Sequence, residues 1–214
     1  MYNNVNIDAI ILARKNSKRL PNKNIRSYKG KMLFEWSLIK AIKSKVFTNI
    51  IISSDSKEVL NKSKEYEFPI KVDQRPKYLS QSSTSSEDVI LYLIKKNIIK
   101  SKYFMLLQPT SPDRRVYDIK KCIYNALKNN LDTLISLSDR YNAKKYLNDC
   151  IIYKNSRFNY SSSEDNLFFN GAIYLARTKY FLKYKTLYSK SIQYAHFMPH
   201  KFSKDIDTLD DFLS

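Results

Sequence analysis

The sequence predicts an α/β domain, a mostly parallel sheet flanked by helices. Short runs of β-branched and aliphatic residues alternate with stretches whose apolar residues recur at helical spacing. The first apolar run is followed at once by a strongly basic loop, and in open sheets of this kind ligands collect beyond the carboxyl ends of the strands. At 214 residues the chain can bury one sizeable core, so a single domain spanning 1–214 is expected.

The first strand is Ile7-Asp8-Ala9-Ile10-Ile11-Leu12-Ala13, a run of β-branched and aliphatic residues interrupted only by Asp8, which reads as a buried strand. The loop after it carries five cations, Arg14, Lys15, Lys18, Arg19 and Lys23, before Asn24. Gly30 and Gly171 are the only glycines. Neither the G-x-x-x-x-G-K-[ST] nor the G-x-G-x-x-G motif is therefore present. Any phosphates would be held by side chains, Arg14 as a planar fork and Lys18 and Lys23 as mobile point charges, on a loop stiffened by Pro21. The competing reading is a solvated basic turn.

Phe34, Leu38, Ile39 and Ile42 then mark an amphipathic helix. Thr48 to Ser53 is a second strand, and Asp55 and Glu58 have capping-box spacing for the helix after it. Thr84 and Glu87 repeat that spacing ahead of Val89, Ile90, Leu93 and Ile94, which share one helical face. Tyr103 to Leu107 is a third strand, stopped by Gln108-Pro109-Thr110-Ser111-Pro112. Leu131 to Ser138 reads as one more. The polar stretch 139–166, with Ser161 to Ser163 at a loop tip, reads as an excursion from the core. Order returns at Leu167 to Leu175, where Gly171 inside a strand signals a bulge or a close approach.

No stretch approaches the roughly 18 apolar residues of a membrane span, and the first residues lack the pattern of a signal peptide. A cytoplasmic protein without a membrane partner is expected. Cys122 and Cys150 lie far apart with no C-x-x-C partner, against a zinc site or a disulfide framework. The net charge of +18 invites a nucleic-acid reading. Lysine is spread along the whole chain, however, and no helix-turn-helix, zinc-finger or RNP-like signature accompanies it. His196 and His200 are four apart, but Pro199 between them breaks the helix a metal pair would need. Asp205 and Asp207, two apart, would share one side of an extended segment while Ile206 turns to the core. Such a pair suits Mg²⁺, which takes one or two carboxylates plus substrate phosphates. Taken in isolation, Asp207 reads first as a helix cap ahead of Leu209.

Several segments together resemble the CMP-sialic acid synthetases, or acylneuraminate cytidylyltransferases. They are Ala13-Arg14, Ser17 to Pro21 and Lys23-Asn24, then Ser53 to Ser56, Arg75-Pro76, Thr84 to Ser86, Gln108 to Pro112 with Arg114, Asn170 to Tyr174, and Asp205-Ile206-Asp207. The resemblance implies a Rossmann-like nucleotidyltransferase domain with 139–166 as a dimerisation arm, hence a homodimer. It implies that Arg14, Ser17, Lys18 and Lys23 hold the phosphates of CTP, that Asn24, Arg75 and Ser86 bind its cytidine part, and that Gln108, Thr110 and Lys144 face a sugar acid. Asp205 and Asp207 would carry Mg²⁺, and Lys18, Arg14 and Asp207 would be the groups closest to the chemistry. The implied reaction transfers CMP from CTP to a nine-carbon 2-keto acid of the sialic, legionaminic or pseudaminic type. A nucleotidyltransferase for another sugar or nucleotide is the nearer alternative, and a basic nucleic-acid-binding protein the more distant one. Members of this family usually carry an Arg-Gln pair shortly before the Asn-Gly-Ala-Ile-Tyr strand. Here that neighbourhood reads Ser163 to Asn166, with Arg157 as a substitute from the loop or a different sugar as the consequence.

Overall fold

The computed structural model describes residues 5–139, 151–154, 167–190 and 192–213. The first half of the chain runs β1 (Ile7–Leu12), the small strands β2 (Ser27–Tyr28) and β3 (Lys31–Met32), α1 (Leu33–Ser44), β4 (Asn49–Ser54), α2 (Lys57–Lys64), β5 (Ile70–Gln74), α3 (Ser86–Lys95) and β6 (Tyr103–Leu107). The second half adds α4 (Val116–Lys128), β7 (Thr133–Asp139), β8 (Ile151–Lys154), β9 (Leu167–Arg177), α5 (Thr178–Tyr184), β10 (Ile192–Phe197) and α6 (Leu209–Leu213).

Eight strands form one sheet in the order β5-β4-β1-β6-β9-β7-β10-β8, while β2 and β3 pair as a separate hairpin. Within the large sheet β9 and β8 run antiparallel to the other six. The expected Rossmann-like, mostly parallel sheet is therefore what the chain builds. Alternation along β1 shows why both faces must be covered. Ile7, Ala9 and Ile11 pack with Phe34, Leu38 and Ala41 of α1 and with Ile119, Ile123 and Ala126 of α4. Ile10 faces the other way, with Val89, Ile90 and Leu93 of α3 and Phe181 of α5. Fully burying each such side chain contributes roughly 1.5–3 kcal/mol, so the two helical layers hold the sheet from both sides.

The structure shifts several local expectations. The helix after β4 is capped by Ser56, whose hydroxyl accepts from Val59 N–H, because Asp55 is engaged elsewhere: its carboxylate accepts from Lys15 N–H at 2.6 Å. The capping box of α3 is Ser85 with Asp88, one residue beyond the expected pair. The strand after Leu131 starts at Thr133 and runs through Asp139. Part of 139–166 returns to the sheet as β8, pairing with β10 at its edge. The rest of that segment, with Lys144, Cys150, Arg157 and the serine tip, lies outside the described residues. Gly171 adopts φ +68°, a left-handed conformation that costs an L side chain roughly 1–2 kcal/mol, next to the register shift where β9 crosses Ile135 and Leu137 of β7. Among the described residues no helix is long and apolar enough to cross a membrane.

Candidate active site

In the strand order, β4 and β6 lie on either side of β1, so the chain leaves β1 in one direction and returns to its other flank. Loops part at such a switch point and leave a crevice beyond the carboxyl ends of the strands. A cavity of about 690 Å³ occupies this crevice, bounded by Leu12 at the end of β1, Arg75 after β5, Gln108 after β6 and Gly171 and Tyr174 on β9.

The basic loop closes one wall without glycine. Asn22 supplies the left-handed turn at φ 57°, a conformation Asn tolerates better than most residues. Asn24 then donates from Nδ2 to the Arg14 carbonyl at 2.8 Å, and the Ser54 hydroxyl donates to the Ala13 carbonyl at 2.5 Å. These bonds pin both ends of the loop, so its side chains have a fixed base from which to reach. Arg14, Ser17, Lys18, Arg19, Lys23 and Asn24 line the cavity, whereas Lys15 does not. Arg14 Nη1 donates across it to the Gln81 carbonyl at 3.0 Å. Lys18 makes no hydrogen bond or ion pair with any described residue. It is the cation with least to give up on meeting an anion.

Arg75 forms a second wall. Its Nη2 donates to the Ser53 carbonyl at 2.7 Å and its Nε to the Ser53 hydroxyl at 3.2 Å. Burial lowers the guanidinium to about 10, with Asp55 and Asp73 opposing, and leaves it charged at neutral pH. Beside it, Ser82 to Ser86 present a row of hydroxyls leading into the amino terminus of α3. On the opposite side the Gln108 to Thr110 turn is held from beneath by a fully buried Arg114, whose Nη2 donates to the Gln108 carbonyl at 2.8 Å. Burial lowers the Arg114 guanidinium to about 9, still cationic at neutral pH, with Asp118 opposing.

Asp205 and Asp207 complete the site. Ile206 between them is fully buried in a small cluster with Leu20 of the basic loop, Tyr28 and Leu33. Ile206 N–H also donates to the Thr110 carbonyl at 2.8 Å. One apolar anchor thus fixes the carboxylates on either side of it against the loop. The cap reading of Asp207 is corrected: Thr208 caps α6, its hydroxyl accepting from Asp211 N–H while the Asp211 carboxylate accepts from Thr208 N–H. The Asp207 carboxylate instead meets Lys23 Nζ at 2.7 Å and Arg19 Nη2 at 2.8 Å. The Asp205 side chain opens to the cavity, yet the protein crowded around its carboxyl raises it above the ordinary carboxylate range; the Thr110 hydroxyl opposes this, and the Asp207 charge adds to it.

Two carboxylates facing five cations suit a metal polyphosphate, because a divalent cation and phosphate groups together satisfy both signs. No group of three or more His, Cys, Asp or Glu forms a protein-only metal cage among the described residues. His196 is buried on β10 with Nε2 3.0 Å from Asp118 Oδ1, a core pair away from the cavity. The structure therefore gathers every expected site residue except Lys144, which lies outside the described residues, and adds Arg19, Gln81 to Ser85, Gly171 and Tyr174. Gly171 and Tyr174 were signalled by the Asn170 to Tyr174 match. The Gln81 to Ser83 wall carried no signal beyond a run of hydroxyls. The Tyr174 hydroxyl is pushed well above the ordinary phenol value by burial, with Tyr188 adding to it, and stays neutral.

The chain is 29% identical over 215 residues to the N-acylneuraminate cytidylyltransferase of Streptococcus agalactiae serotype III, an alignment covering 95% of this chain and 51% of that protein. It thus spans about half the length of the streptococcal relatives it matches. It is 28% identical over 225 residues to the CMP-N,N'-diacetyllegionaminic acid synthase of Legionella pneumophila, covering 95% of this chain and 92% of that protein. Among solved structures, a CMP:2-keto-3-deoxy-manno-octonic acid synthetase complexed with CTP superposes with a TM-score of 0.70 over 95% of this chain and 93% of that one; at 15% identity it attests the fold. The cytidylyltransferase family model matches residues 9–209. With that match running from the first strand to the start of the last helix, and so through every wall of the cavity, the chain belongs to the cytidylyltransferase family.

Proposed function

We propose that this protein transfers CMP from CTP to a nine-carbon 2-keto sugar acid of the sialic, legionaminic or pseudaminic type, releasing pyrophosphate. The observation that carries the reading is the joining of Arg14, Lys18, Arg19, Lys23 and Arg75 with Asp205 and Asp207 around one cavity at the switch point of the sheet. Arg14, Ser17, Lys18 and Lys23 would hold the triphosphate. Asn24, Arg75 and Ser86 would take the cytidine side. Gln108 and Thr110, with Lys144, would face the sugar acid. Its anomeric hydroxyl attacks the α-phosphorus in line and pyrophosphate departs, so the protein's task is to position the reactants and to neutralise charge. Asp205 and Asp207 would hold Mg²⁺, which when bound neutralises charge at the α-phosphate. Lys18 would follow the charge that develops on the departing phosphates. A cytoplasmic homodimer of single-domain protomers, with its arm in 139–166, belongs to the same proposal.

The test is pyrophosphate release measured with CTP, ATP, GTP and UTP against a panel of nonulosonic acids in the presence of Mg²⁺. Turnover with CTP and one of these acids is expected. Equal turnover of all four nucleotides would refute the reading.

A further inference from the structure

Both oxygens of the Asp207 carboxylate are already engaged, Oδ1 by Lys23 and Oδ2 by Arg19. The Lys23 side chain is only 10% exposed, and its ammonium has Asp207 as its ion-pair partner. An ammonium held this far from water needs an opposite charge beside it. The Arg19 side chain is 69% exposed, so its pairing is weaker and easily exchanged. Asp205, by contrast, has no ion pair among the described residues. The two carboxylates thus differ in state although they lie two residues apart.

We propose that Asp207 is a placeholder anion for the basic loop. In the ligand-free cavity it neutralises Lys23 and Arg19. When a metal-bound triphosphate enters, the phosphate oxygens take over both cations and free the carboxylate to act as a metal ligand. This inference rests on the CTP and Mg²⁺ reading above. Its consequence is that nucleotide and metal bind as a coupled pair, each raising the affinity of the other by the same factor. A nucleotide arriving without metal must instead compete with Asp207 for the two cations, and a metal arriving alone must crowd a carboxylate that already bears two positive charges.

The test is equilibrium binding of CTP by calorimetry, with saturating Mg²⁺ and with EDTA, for the wild type, Asp207→Asn, Asp205→Asn and Arg19→Gln. Asp207→Asn is expected to bind metal-free CTP about 10-fold more tightly than wild type, the effect of about 1.4 kcal/mol of released competition, and to gain little from Mg²⁺. Asp205→Asn removes the same charge from the same segment without releasing a cation, so its metal-free affinity should change much less. Equal tightening in both variants would show simple electrostatics and overturn the proposal. Arg19→Gln alters an exposed side chain and spares the fold. Its loss of CTP affinity should be larger with Mg²⁺ than with EDTA, because without metal Arg19 stays with Asp207. The reverse order, expected of a plain cationic patch, would also overturn it. No CTP binding by the wild type in either condition would remove the CTP reading itself, and the placeholder role with it. CTP binding with no difference among the variants would remove the placeholder role alone.

Discussion

Replacing Ser37 by Ala is expected to damage the protein more than removing the buried arginine it serves. Arg114 is fully buried and its guanidinium donates to the Ser37 hydroxyl from Nη2 at 2.9 Å and from Nη1 at 3.3 Å, while its Nε has no partner among the described residues. Ser37 in turn donates to the Gln108 carbonyl at 2.9 Å, which Arg114 also reaches. Ser37→Ala keeps the charge and takes away its hydroxyl acceptor. Hydrogen bonds to charged groups are worth about 1.5–3 kcal/mol each, and a buried donor left without one bears its full desolvation cost. With one strong and one long bond lost, a loss of about 2–3 kcal/mol follows, or roughly 4–12 °C in melting temperature for a chain of this size. Arg114→Met removes the charge together with its demands, and Ser37 still satisfies the Gln108 carbonyl. Asp118, the nearby carboxylate, keeps its direct contacts with Arg115 and His196, so the removal strands no buried charge. Urea denaturation of both single variants and the double variant is the assay. The double variant should be much more stable than the sum of the single losses predicts. A larger loss in Arg114→Met than in Ser37→Ala, with additive effects, would refute the reasoning and make the guanidinium a net stabiliser of the turn.

Lys18→Ala should lower turnover by about 10²–10³, the scale of a lost preorganised group of about 2.7–4 kcal/mol. Lys15→Ala removes the same charge from outside the cavity and keeps the backbone bond to Asp55, so it should change turnover little. Steady-state kinetics with CTP compares the two, and equal losses would reduce the loop to a diffuse patch. Burial pushes the Asp118 carboxyl up, but hydrogen bonds from His196 and Arg115 outweigh it and hold it below the ordinary aspartate value. Its contribution to stability is therefore present above that value and is lost as pH falls below it. Asp118→Asn should flatten the acid limb of a stability-against-pH curve measured by denaturant midpoint, and an unchanged limb would assign acid unfolding to other groups.

Local chemistry wrote the first half of the fold into the sequence. β1, β4 and β6 are apolar runs of the right length, and α1 and α3 carry their buried residues at helical spacing, so neighbours along the chain were enough to announce them. β5 was not announced, because this edge strand is largely half-exposed and mixes Lys71, Asp73 and Gln74 with two aliphatic residues. The buried face of α4, Ile119, Cys122, Ile123 and Ala126, recurs at spacings of three and four. The chemistry of the site was likewise legible as residue types, since the basic loop and the paired carboxylates each stand together in sequence. Their meeting was not legible from spacing alone. Lys23 and Asp207 are separated by 184 positions, and what joins them is the burial of Leu20 and Ile206 in one cluster and the Ile206 bond to Thr110. The choice of Thr208 rather than Asp207 as the cap of α6 was settled in the same way. Both side chains can cap a helix, and only the tertiary placement of Lys23 and Arg19 gave the Asp207 carboxylate a stronger electrostatic partner than the backbone beside it.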